Sequence, residues 1–86
     1  MPSPQFKRIT WKRVFLEGEK RIKGVWAQAL LRASKRERPF LLAKHEAVWV
    51  LTRSSLASKN SRQLHKALKE QLRLLSELYT LALRER

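Results

Sequence analysis

Apolar positions recur at helical intervals over two long stretches of the chain. In residues 19–33 they nearly follow the i, i+3, i+4, i+7 spacing of one helix face, at Ile22, Val25, Trp26, Ala29, Leu30 and Ala33. From Arg62 onward a wider apolar face comprises Leu64, Ala67, Leu68, Leu72, Leu75, Leu78, Tyr79 and Ala82, while Leu74, Leu81 and Leu83 spread beyond it. Both patterns predict amphipathic helices, the second of them long.

The beginning of the chain is less regular. Residues 1–5 contain two prolines and no apolar periodicity, which predicts a flexible lead-in. From Phe6 onward a loosely helical spacing predicts a first helix that ends near Gly18, a plausible break. Gly24, inside the next helix, costs about 1 kcal/mol relative to alanine, which indicates either a close packing contact or a local weakness.

The middle of the chain contains a boundary and an ambiguous element. Residues 34–39 are a charged connector, and Pro39 disfavours helical geometry at the preceding residue, so a helix boundary is predicted there. Residues 40–51 fit a buried helix, although residues 48–51 also fit a short strand. We favour the helix because no second strand is available for pairing.

The predicted elements end with a loop and a capped helix. The hydroxyl-rich residues 52–58 predict a loop, after which Asn60 or Ser61 caps the last helix. The fold class expected from all of these elements is all-α: a single domain over residues 6–86 with three to four helices, the C-terminal one long.

Charge points to the class of partner. The chain has 86 residues and a formal net charge of +13, from 20 Lys and Arg against 7 acidic residues. Such a charge destabilises a small compact body unless anions screen it, so a polyanion is the expected partner. Residues 1–38 carry +8 and residues 39–86 carry +5, which places the predicted phosphate contacts in the first half. The predicted nucleic-acid-binding residues are Lys7, Arg8, Lys12, Arg13, Lys20, Arg21, Lys23, Arg32, Lys35, Arg36 and Arg38.

Sequence-specific readout is not expected. The chain has no zinc-finger spacing, no aromatic motif of the RRM kind and no Gly-rich KH loop, so backbone contact with RNA or DNA is predicted. Trp26 and Trp49 lie on apolar stretches and are predicted to be core residues, whereas Trp11, beside Lys12, is the candidate for base stacking. A protein partner or a second copy is expected on the last helix, through Leu64, Leu68, Leu72, Leu75, Leu78 and Tyr79.

Few residues of the chain are suited to catalysis or to metal binding. The chain has no Cys and no Asp, and its two histidines are twenty residues apart, so no metal, cofactor or enzymatic role is predicted. His45 and Glu46 are adjacent and point in different directions on a helix, while Glu70 and Arg73 are spaced as a surface pair. No apolar run is long enough to span a bilayer. A cytoplasmic or nucleoid-associated location is expected, with the mitochondrial matrix as the alternative because the first residues are basic.

Residues 48–83 contain Trp49-Val-Leu-Thr-Arg53, then Leu56 and Leu64, and a Leu75-Ser-Glu-Leu-Tyr79-Thr-Leu81 ending. This order resembles a helical stretch of ISL3-type transposases, where a Trp-Leu-Leu segment precedes a polar loop, a leucine-spaced helix and a Leu-Ala-x-Ala-Tyr-x-Leu ending. The resemblance implies metal-dependent strand transfer by separated Asp, Asp and Glu residues. Because this chain has no Asp, the resemblance implies here a non-catalytic helical piece or a stand-alone derivative.

The function expected from the sequence is a non-catalytic, nucleic-acid-associated protein. Its basic helices contact the phosphate backbone, and it acts as a subunit of a ribonucleoprotein or a DNA–protein assembly. The alternatives are a protein-interaction module that binds an acidic protein surface as a regulator or inhibitor, and a transposase-derived fragment.

Overall fold

The fold is all-α. The structure, a computed structural model, describes residues 10–84 and contains three helices, α1 (Trp11–Arg32), α2 (Glu37–Ser58) and α3 (Ser61–Ala82), each 22 residues long. The described residues include no strand, which confirms the helix predicted for residues 40–51. The predicted lead-in, the helix start at Phe6, and the predicted contacts Lys7 and Arg8 lie outside the described residues.

Helix α1 is continuous, so the break predicted at Gly18 is wrong. The helix starts where the Thr10 side chain accepts the Arg13 N–H at 3.2 Å. It continues through Gly18 because the buried side chain of Gln71 from α3 lies against that glycine. Gln71 Nε2 donates to the Phe15 carbonyl at 3.0 Å. Gly18 therefore provides room for a contact between two helices.

Helix α2 begins before the proline that was predicted to limit it. Ser34 and Glu37 cap its start reciprocally: the Ser34 N–H donates to Glu37 Oε1 at 2.9 Å, and the Glu37 N–H donates to Ser34 Oγ at 3.2 Å. Pro39 falls in the first turn of α2, where a missing N–H costs little. Helix α2 thus begins three residues before the predicted start at residue 40.

The loop predicted for residues 52–58 is also wrong, because α2 continues to Ser58. The Thr52 hydroxyl donates to the Val48 carbonyl at 2.7 Å, and the Ser55 hydroxyl donates to the Leu51 carbonyl at 2.7 Å. Both hydroxyls are satisfied inside the helix, so both residues can be buried in the fold. Asn60 then caps α3, as predicted, by accepting two backbone N–H groups.

The core lies along α3, which packs closely against α1 and α2, while α1 and α2 touch each other least. Its main cluster is formed by Ile22, Val25, Ala29, Ala33, Leu41, Val48, Leu74, Leu75, Leu78 and Leu81. A smaller cluster near the start of α1 contains Phe15, Leu64 and Ala67. Leu64, Leu75 and Leu78 are thus core residues, although the sequence placed them on a partner face. Leu68 is half-buried, and Leu72 and Tyr79 are exposed.

Trp49 is 40% exposed, so its assignment to the core is wrong. The buried side of α2 is centred on Leu41, Val48 and Ser55, and Trp49 projects away from that line. Its apolar character alone could not specify which side of α2 would meet the other helices.

One corner of the molecule joins all three helices. Arg84, just after α3, donates to Glu37 Oε1 at 2.7 Å and to Oε2 at 3.1 Å. Arg32 at the end of α1 donates to the Arg84 carbonyl at 3.1 Å, and Arg38 donates to the Leu30 carbonyl at 3.1 Å. The hydrogen bonds from Arg84, with that from the Ser34 N–H, lower the pKa of Glu37 from 4.5 to about 2.

This corner predicts a defined acid sensitivity. Because folding lowers the pKa of Glu37, its stabilising contribution is complete above about pH 4.5 and is lost as the pH falls through about 2. We expect Glu37→Gln to lower the free energy of unfolding at pH 7 and to have no effect near pH 2, as measured by urea denaturation across that range. In an NMR titration, Arg84→Ala should raise the pKa of Glu37 toward 4.5. An unchanged pKa in that variant would contradict the assignment of its cause.

Candidate nucleic-acid interface

The predicted contacts of α1 are exposed. Lys12, Arg13, Lys20, Arg21 and Lys23 all reach solvent. Arg13 and Lys20, seven residues apart, share the face of α1 that points directly away from the core. Within residues 10–84, the ion pair that these five form is Lys20 with Glu17, at 3.7 Å and largely exposed, and such a pair stabilises little. The outer side of α1 can therefore contact a polyanion.

The most regular basic row lies on α3 and was not predicted. Arg62, Lys66, Lys69 and Arg73 are spaced i, i+4, i+7 and i+11, and all four are exposed. At 1.5 Å per residue the row is about 17 Å long, roughly the length of five base pairs of DNA. Lys66 and Arg73 also border the groove between α2 and α3. The helical spacing of these four residues is visible in the sequence and would have predicted the row. The prediction compared only the net charges of the two halves of the chain, which does not reveal such a spacing.

Few of the basic side chains have an acidic partner. Within residues 10–84, the Lys and Arg side chains that form ion pairs are Lys20, Lys44, Arg73 and Arg84. The predicted surface pair of Arg73 with Glu70 is present at 3.5 Å. The remaining Lys and Arg side chains of this range form no ion pair within it.

The predicted contacts near the connector divide into two groups. Lys35 and Arg36 are exposed between α1 and α2. Arg32 and Arg38 each donate to a backbone carbonyl at a helix end, so they also hold the corner around Arg84 together. A substitution at either of these two arginines would change the fold as well as the surface.

Trp11, the candidate for base stacking, packs within the chain. Its ring centroid lies 6.0 Å from that of Phe15 and 4.9 Å from that of His65. Trp11 is half-buried beside the smaller core cluster. These contacts leave only part of the indole for a base.

Glu19 and His45 form a contact between α1 and α2 that no sequence pattern indicated. His45 Nε2 lies 2.8 Å from Glu19 Oε1, and the imidazole packs on Trp26 with ring centroids 5.0 Å apart. Glu19 is buried and Glu46 is exposed, and Glu46 borders the same surface pocket as Glu19 and His45. The pair connects the two helices that otherwise touch least.

Metal ligands and membrane-spanning helices are not found in the described part of the chain. No three His or Glu side chains of residues 10–84 are grouped so that they could hold a metal ion. No helix in this range has the length and apolar character needed to cross a bilayer.

The outer face of α2 differs from those of α1 and α3, because it is apolar. Phe40 is 70% exposed, Val50 is 56% exposed and Leu42 is 55% exposed. Its charged residues are Glu46 and Arg53, both exposed. The molecule thus presents basic surfaces on two helices and an apolar surface on the third.

No protein-family model matches this chain, and no curated protein or solved structure matches it. The resemblance of residues 48–83 to ISL3-type transposases stays a prediction from the sequence.

Proposed function

We propose that this protein binds the phosphate backbone of a nucleic acid, without base specificity, as a non-catalytic subunit of a nucleic-acid-containing assembly. The observation that carries the proposal is the exposed row of Arg62, Lys66, Lys69 and Arg73 on α3. Cations one helical turn apart on a rigid helix can contact successive phosphates and release their counterions. The outer cations of α1 provide a second contact surface.

The pairing of charges supports the same proposal. Most acidic side chains of the described chain already have a cationic partner, so the cation excess is not neutralised internally. The rows on α1 and α3 lie on outer faces of different helices, which fits a chain with nucleic acid on more than one side. An RNA-embedded subunit would have such an environment, and DNA would supply the same phosphates.

The test is a salt series with matched variants. Affinity for RNA and DNA duplexes and single strands is measured by fluorescence anisotropy for the parent chain, for Lys66→Glu/Lys69→Glu and for Arg13→Glu/Lys20→Glu. We expect the α3 variant to lose at least about tenfold in affinity and the slope of log K against log salt to fall by about 2, since two phosphate contacts are lost.

The two double variants change the net charge equally, so each is the control for the other. Because the outer cations of α1 form the second contact surface, a smaller loss is expected for Arg13→Glu/Lys20→Glu, and equal losses in both would remove the leading role of the α3 row. No measurable binding at low salt would refute the proposal. Circular dichroism at 222 nm confirms that the exposed substitutions leave the helices intact.

A protein-interaction module is the second candidate, favoured by the exposed apolar residues of α2 and α3. It predicts little affinity for nucleic acid at any salt concentration and a partner that buries Phe40 and Val50. The salt series separates the two candidates directly.

A further inference from the structure

The outer face of α2 carries a heptad-spaced stripe that belongs to neither core cluster, although Phe40 and Ala47 border the grooves between α2 and α3. Its members are Phe40, Ala43, Ala47, Val50, Ser54 and Ala57, all of them exposed. Their alternating three- and four-residue spacing is the pattern of a helix that pairs with another helix along its length. The opposite side of α2, along Leu41 and Val48, is the side used by the fold itself. Helix α2 therefore has one side that packs in the fold and a second side whose spacing suits pairing with another helix.

The sizes of the stripe residues are complementary under reversal of direction. In an antiparallel pair of α2 helices centred between Val48 and Trp49, Phe40 lies opposite Ala57, and Ala47 lies opposite Val50. Each large residue thus meets a small one, which allows close packing. In a parallel pair Phe40 would face its own copy while Ala43 faced alanine, which leaves the helices unevenly separated.

The charges beside the stripe are also complementary in the antiparallel arrangement. Glu46 and Arg53 lie on the same flank of the stripe, seven residues apart, and both are exposed. In the antiparallel pair Glu46 is only about 3 Å along the axis from Arg53 of the second copy, and the symmetric contact occurs twice. Glu46 is also the one carboxylate of residues 10–84 that has no Lys, Arg or His partner within that range.

We propose that two copies of this chain associate through an antiparallel pairing of their α2 helices along this stripe. The occupant is a second copy because the stripe is complementary to itself in both size and charge. The face is also suited to like-charged copies, since residues 39–58 carry a net charge of only +1 from Lys44, Glu46 and Arg53. The pairing leaves the basic rows of α1 and α3 on the outside. It goes beyond the proposed function and does not depend on it.

The association is tested by sedimentation equilibrium of the full chain, freed of nucleic acid, from low to several hundred micromolar. About 1 M NaCl shortens the Debye length to about 3 Å and suppresses the repulsion between the two highly charged copies. The stripe is one helix long and smaller than a standard interface of about 1,600 Å², so a concentration-dependent dimer is expected. Val50→Glu is expected to leave a monomer throughout, because it buries a carboxylate at the centre of the pair.

Leu72→Glu is the matched control, because Leu72 is an exposed leucine, 52% accessible, on α3. It should leave the dimer intact. If Leu72→Glu abolished the dimer and Val50→Glu did not, the association would run through α3 and the proposal would be wrong. Helix content by circular dichroism is compared for both variants, so that unfolding cannot be mistaken for dissociation.

A charge swap tests the direction of the pairing. Measured at about 0.1 M NaCl, where the Debye length of about 10 Å leaves these contacts largely unscreened, Glu46→Arg and Arg53→Glu should each weaken the dimer about tenfold, since two attractive contacts become repulsive. The double variant Glu46→Arg/Arg53→Glu should restore the parent affinity, because only the antiparallel pair brings positions 46 and 53 together. Failure of the double variant to recover would overturn the antiparallel arrangement.

Two further results would overturn the proposal as a whole. One is a monomer at all concentrations in high salt. The other is binding of the parent chain to vesicles containing anionic lipid that Val50→Glu abolishes, which would assign the apolar face to a membrane surface.

Discussion

Replacing Leu78 by alanine is expected to lower the free energy of unfolding by about 2–5 kcal/mol. Leu78 is fully buried in the main core cluster, at the level where α1 and α2 both pack on α3. Truncation removes buried apolar area and leaves a cavity between three helices, which cannot all close on it. Because a domain of this size has a stability of only about 5–10 kcal/mol, much of it would be lost. Urea denaturation followed by circular dichroism measures the change.

The matched control is Leu72→Ala on the same helix. Leu72 is 52% exposed, so its truncation should change the free energy of unfolding by no more than about 0.5 kcal/mol. If Leu78→Ala proves too unstable to fold, Leu78→Val should still cost about 1 kcal/mol. Similar effects of the alanine variants at positions 72 and 78 would mean that α3 is rotated relative to the packing described here.

The two glycines of α1 are expected to respond to alanine with opposite signs. A Cβ at Gly24 would meet nothing within 4 Å, so Gly24→Ala should stabilise the protein by about 0.5–1 kcal/mol through helix propensity alone. A Cβ at Gly18 would come within 2.7 Å of Gln71 Nε2 and would overlap the rest of that carboxamide. Because Gln71 is only 2% exposed, it cannot move into solvent without opening the interface.

Gly18→Ala should therefore destabilise the protein by about 1–3 kcal/mol, since displacement of Gln71 breaks its hydrogen bond to the Phe15 carbonyl. The check is a double-mutant cycle from urea denaturation of Gly18→Ala, Gln71→Ala and the double variant. In the Gln71→Ala background the added methyl has no carboxamide to displace, so its cost should vanish. Stabilisation by Gly18→Ala in the parent chain would show that Gln71 does not determine the need for glycine there.

The contact of Gln71 with α1 explains why the predicted break at Gly18 was wrong. A glycine weakens a helix by about 1 kcal/mol, which is evidence for a break only if nothing else stabilises that turn. Gln71 is 56 residues away along the chain from the carbonyl it binds, and local sequence does not specify such a pairing. The loop predicted at residues 52–58 failed similarly, because the hydroxyls of Thr52 and Ser55 bond within the helix on its buried side.

The sequence predicted that the candidate interface consists of Lys and Arg side chains, but it placed them on only one of the two helices that carry them. The outer cations of α1 were predicted and are exposed. The row from Arg62 to Arg73 was overlooked, although its spacing is explicit in the sequence. The start of α2 was also readable, since Ser34 and Glu37 have the spacing of a reciprocal helix cap. By contrast, the contact of Glu19 with His45 joins residues 26 positions apart and has no local signal.

What the sequence by itself determined is the helical class, a cap of α3 at Asn60 or Ser61, of which the structure uses Asn60, and the excess of positive charge, because these depend on local spacing, local hydrogen bonds and composition. Only the tertiary structure decided which side of each helix is buried. Leu74 and Leu81, beyond the predicted face of α3, are core residues because α3 meets helices on two sides, whereas Leu72 and Tyr79 remain outside. Helix α2 is apolar around much of its circumference, so its sequence did not specify a buried side. The packing of α1 and α3 against α2 determines which side of α2 is buried, and it leaves the heptad-spaced stripe of α2 exposed.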